Sequence, residues 1–159
     1  MSTPDDVREQ LLRTLRGASA HPEVTTALEG VPAVARGRCA PGFPHTLWQL
    51  LERLRIAQRD ILDFGRTPDH ESPEFPKGYW PESEAPPSDA AWEKSLKAFL
   101  GDLDALQKIA ADRNVDLTAP IPHLDGPTWF REMMLVVSHN AYHLGQFVQV
   151  RRALGCWEN

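Results

Sequence analysis

The chain has 159 residues, 42% hydrophobic and 25% charged, enough for a single domain over residues 1–159 with a sizeable core. A formal net charge of -5 leaves no broad basic face for a phosphate backbone, which argues against nucleic acid as a partner. Early charges after Met1 and the absence of any run of membrane-spanning length argue against a membrane partner and make the cytoplasm the expected location.

Thr3-Pro4-Asp5-Asp6 reads as an N-cap, a proline at the first helical position and acids behind it. The helix so opened carries Leu11, Leu12 and Leu15 and is expected to stop at Gly17. A short helical segment is expected from Pro22 to Leu28, and Gly37 to Pro44 reads as loop. Cys39 falls in that loop and Cys156 at the end of the last expected helix, with no CxxC spacing, so both are expected to be reduced bystander thiols. Thr46-Leu47-Trp48-Gln49 is a capping box, in which threonine and glutamine side chains satisfy each other's backbone amides. Behind it Leu47, Leu50, Leu51, Leu54, Ala57, Ile61 and Phe64 recur at three- and four-residue steps, predicting a core-facing helix that ends at Gly65.

Six of the fourteen prolines fall between Arg66 and Pro87, with Phe75, Tyr79 and Trp80 among them. Three aromatics in a proline-stiffened segment are costly to leave in water, so the segment is expected to pack across the fold, where it could shape a pocket. Ser88 or Asp89 caps a third long helix with Trp92, Leu96, Phe99, Leu103 and Leu106 facing inward and Glu93, Lys94 and Asp102 outward, ending near Asn114. A second irregular stretch, Val115 to Pro127, precedes a fourth long helix from about Thr128 to Leu154, closed by Gly155. Four long amphipathic helices joined by long proline-rich loops predict an all-α fold, a four-helix bundle.

His139 and His143 stand one turn apart on the last helix, so both imidazoles can converge on one divalent cation. A catalytic metal site needs a third protein ligand and an open position, and two histidines at this spacing do not supply it. His45 sits just outside the capping box, while His21, His70 and His123 stand in predicted loops and are expected at the surface. No GxSxG, Walker A, GxGxxG or HExxH pattern occurs.

Thr46-x-x-Gln49, the proline-rich aromatic connection, Asp125-Gly126-Pro127-Thr128 and His139-x-x-x-His143-x-Gly145-Gln146 together resemble the DinB-like superfamily over nearly the whole chain. The resemblance implies a four-helix bundle in a family that includes metal-dependent hydrolases and transferases using low-molecular-weight thiols. It implies a divalent metal, nickel or zinc, held by His139, His143 and a histidine on the second long helix, and it also implies a homodimer. That third histidine falls at Arg53, which is always protonated and has no lone pair to coordinate. His45 remains as a candidate third ligand, although it lies eight positions earlier, roughly 12 Å along a helix axis.

Two functions follow. The first is a hydrolase or thiol S-transferase with an altered metal site, acting on a small-molecule ligand. The second is a metal-free, catalytically degenerate binding or stress-response protein, in which Arg53 binds the ligand and the pocket accepts an anion such as carboxylate, sulfate or phosphate.

Overall fold

The computed structural model describes residues 4–17 and 19–158. Its α-helices are α1 (Pro4–Arg16), α2 (Val24–Leu28), α3 (Leu47–Arg66), α4 (Asp89–Ala111) and α5 (Trp129–Ala153), with single 3-10 turns at Ala33–Ala35 and Lys77–Tyr79. The described residues contain no β-strand, only one isolated antiparallel bridge between Pro120 and Thr128. No described helix is long and apolar enough to cross a membrane.

Side-chain caps start the three longest helices. The Gln49 amide N–H donates to Thr46 Oγ1 at 3.2 Å and the Thr46 N–H to Gln49 Oε1 at 3.0 Å, completing the capping box of α3. Ser88 accepts from the Ala91 N–H at 3.1 Å and Thr128 from the Arg131 N–H at 3.1 Å, so the third-helix cap is the serine. The expected cap of α1, Thr3, lies outside the described residues.

α3 packs on both α4 and α5, α1 on those same two helices, and α2 on α5. Gln58 meets Asn140 and Gly65 meets Trp129, so α3 and α5 run antiparallel. Between the helices lie Trp92, Phe99, Phe147, Met133 and the leucines of α3, all fully buried. Each such side chain contributes about 1.5–3 kcal/mol of hydrophobic stabilisation. The interior also holds polar groups. Gln58 donates to the Phe99 carbonyl at 2.7 Å and accepts from Asn140 Nδ2 at 3.0 Å, tying α3, α4 and α5 together.

Four expectations change. Gly65 does not end α3; it lies inside the last turn, where a Cβ would run into the Trp129 indole, and the helix closes at Thr67. The α3 stripe buries Leu62 rather than Phe64, which is half-buried. α4 stops at Ala111, short of Asn114, because Arg8 of α1 donates to the Ala110, Asp112 and Val115 carbonyls and takes over the chain there. Asp102 is not on the outer face but 6% exposed, paired with Arg59 at 3.2 Å between α3 and α4.

Candidate functional site

α5 presents His139 and His143 on one face, as their spacing requires, with ring centroids 4.5 Å apart. His143 is 6% exposed, and its Nδ1 lies 2.7 Å from Gln146 Oε1. An amide oxygen only accepts, so Nδ1 carries the proton and Nε2 is the free acceptor of the neutral ring. His139 differs. Both of its ring nitrogens are buried without a hydrogen-bond partner.

Arg53 of α3 faces this pair. The guanidinium charge helps hold both imidazoles below their usual range. For His139 burial is the larger cause, and together with the neighbouring His143 ring and Arg53 it brings the pKa down to about 4 against the opposing Asn140 side chain, whose Oδ1 lies beside the ring without completing a hydrogen bond to it. His143 is lowered chiefly by burial, with Gln146 opposing and Arg53 and His45 adding to it. Both rings are therefore neutral near pH 7. Arg53 itself is depressed by burial, and its Nε and Nη1 are buried without a hydrogen-bond partner. No ion pair reaches it among the described residues.

The proline-rich segment supplies the roof. Arg53 Cζ lies over the Tyr79 ring at 5.1 Å and over Trp80 at 5.5 Å, two cation–π contacts from one strap. Trp80 also stacks on His45 at 4.1 Å and meets His143 edge-on at 6.1 Å. The strap is fastened to α3. Tyr79 donates to Asp60 Oδ2 at 2.6 Å, His70 Nε2 lies 2.8 Å from Asp60 Oδ1, and Thr46 Oγ1 donates to the Glu84 carbonyl at 2.6 Å.

His139, His143 and Arg53 thus come together, with the segment expected to shape a pocket lying over them. His45 belongs to the same cluster but stacks on the face of Trp80. Among the described residues no three His, Cys, Asp or Glu side chains are placed to hold a metal ion. Glu52, next to Arg53 in sequence, turns away and binds Arg55 through both oxygens at 2.8 and 2.7 Å.

Two loop residues depart from expectation. Phe75 stays 74% exposed while Tyr79 and Trp80 pack, and His70 is drawn inward by Asp60. Sequence reasoning missed Asp60, since a lone acid on a helix flank carries no signal until the strap is folded onto it. It also missed the Gln58–Asn140 pair beneath the site.

A void of about 20 Å³ beside His45 and Gln146 has room for about one water. A groove of about 610 Å³ lies elsewhere, at Arg8, Val115 and Phe130, and there the arginine already serves three backbone carbonyls. Compared with protein-family models, curated proteins and solved structures, the chain matches none.

Proposed function

We propose that this chain is a DinB-like four-helix bundle whose metal site has given way to an anion-binding pocket centred on Arg53. One observation carries the reading: a guanidinium with two buried, unpartnered nitrogens and no carboxylate beside it. A buried charged donor left unsatisfied costs several kcal/mol, so such a group points to a ligand that supplies the missing acceptors. A carboxylate, sulfate or phosphate does so, and a guanidinium receives its oxygens along a planar edge.

The residues present do not fit a three-histidine metal centre. Arg53 stands where the resemblance puts the third ligand, its charge would oppose a dication, and His45 forms no three-ligand group with His139 and His143 among the described residues. The enzyme reading, a metal-dependent hydrolase or thiol S-transferase, is favoured only by the two neutral imidazoles at 4.5 Å.

Elemental analysis of protein purified without chelator, paired with a sulfate titration followed by the His139 and His143 ring resonances, separates the two. The expected result is metal-free protein, saturable sulfate binding that Arg53→Met abolishes, and uptake of a divalent ion by Arg53→His. One equivalent of metal in the native protein, with no response to sulfate, would overturn the anion reading.

A further inference from the structure

His139 needs something that Arg53 does not. A neutral imidazole offers one N–H donor and one lone-pair acceptor, and both nitrogens of His139 are buried and unpartnered. With Arg53 Nε and Nη1 the unmet nitrogens are three donors and one acceptor, and Asn140 Oδ1 beside His139 is a further unmet acceptor. The oxygens of an anion answer the donors. The acceptor nitrogen needs a hydrogen from the ligand.

We propose that the Arg53–His139 pocket takes an oxyanion bearing a hydroxyl beside its charge, a hydrogenphosphate or an α-hydroxycarboxylate, in preference to sulfate or a simple carboxylate. This rests on the anion reading above and adds the ligand's second requirement. Sulfate has no hydrogen to give, so it would leave the imidazole lone pair facing an oxygen, with a buried acceptor unpaired. A site built to bond a hydroxyl discriminates strongly against the analogue lacking it, for that reason. An imidazolium would offer two donors and no acceptor, but it would set a second buried positive charge beside the Arg53 guanidinium. Burial and the Arg53 charge hold the ring neutral. Trp80, 5.5 Å from Arg53 and edge-on to His143, lies against the same cluster.

The experiment is calorimetric titration of the native chain at pH 7 with inorganic phosphate, sulfate, glycolate and acetate. Phosphate should bind over sulfate, and glycolate over acetate, by roughly tenfold or more. Charge cannot produce the first preference, since sulfate is the more highly charged at that pH. Whichever of phosphate and glycolate binds tighter tells whether the pocket is shaped for a tetrahedral or a planar head. His139→Phe should collapse both gaps, and the four-anion comparison holds whether or not that variant folds. If each pair binds alike in the native chain, the hydroxyl requirement is wrong and the Arg53 reading survives. If none of the four binds, both fail.

Discussion

Arg151 and Arg53 both project from long helices toward the interior, and neither is ion-paired among the described residues. Arg151, 6% exposed, donates to the carbonyls of Ala27, Glu29 and Cys156 at 2.8–3.0 Å, and its guanidinium lies 4.9 Å from the Trp157 ring centroid. It satisfies the carbonyl ends of α2 and of the last turn of the chain, where helix geometry leaves acceptors without partners. Arg53 has the aromatic contacts but not the acceptors. A cation whose three nitrogens all reach backbone carbonyls is part of the fold, whereas one with two nitrogens left without acceptors beside two aromatic rings is what the proposed anion pocket rests on.

The largest expected effect tests the first half of that contrast. Arg151→Met removes every one of those hydrogen bonds and strands three carbonyls, so unfolding in urea should show a loss of about 3 kcal/mol. A loss under about 1 kcal/mol would mean that the carbonyls find water and that Arg151 is no structural cation.

Acid provides the next test. His139 has a folded-state pKa of about 4, below its unfolded value near 6.5. Between those two values the unfolded chain binds the extra proton, so stability falls as pH drops through that window. The sign is opposite to that of a histidine stabilised by an acid. A displacement of this size is worth up to about 3 kcal/mol. In anion-free buffer the native chain should lose most of that between pH 6.5 and 4, and His139→Phe should flatten the slope; equal slopes would refute the burial of His139 beside Arg53.

Much of this was legible before folding. Capping boxes and three-four spacing are local, so the starts of α3, α4 and α5 and most of their inward faces could be read directly. The histidine pair was equally local. What failed depends on contacts distant in sequence. Gly65 looks like a stop until Trp129 needs the space above it, and Asp102 looks like surface until Arg59 and the rest of α3 close over it. The strap shows the same division: its composition announced packing, but only folding chose Tyr79 and Trp80 over Phe75 and found Asp60 to hold them.

Arg53→Met tests the second half of the contrast, with a smaller effect of the opposite sign to Arg151→Met. Methionine keeps most of the apolar stem against Tyr79 and Trp80 and removes two unsatisfied charged donors. In anion-free buffer the variant should be more stable by about 1 kcal/mol. Added phosphate should raise the midpoint of the native chain only. Destabilisation by Arg53→Met without anion would mean that the guanidinium is already satisfied and the pocket already complete.

Asp102→Asn carries the smallest expected effect and asks what an orphan atom signifies. Asp102 Oδ2 is buried without a hydrogen-bond partner, like the Arg53 nitrogens. Its charge, however, is answered: Arg59 lies 3.2 Å from Oδ1, and Arg66 and Arg55 also favour the ionised form. Burial outweighs them and raises the pKa, so Asp102 opposes folding at neutral pH and ceases to do so as pH falls, the reverse of His139. Asparagine retains an acceptor for Arg59, gives up an ion pair with a cation 44% exposed, and relieves the burial of a carboxylate. These changes nearly cancel, and stability at pH 7 should move by no more than about 0.5 kcal/mol. Anion affinity should be unaltered. If Asp102→Asn weakened phosphate binding as Arg53→Met does, the two orphans would belong to one linked charge system, and an unpaired atom would not separate a binding cation from a structural acid.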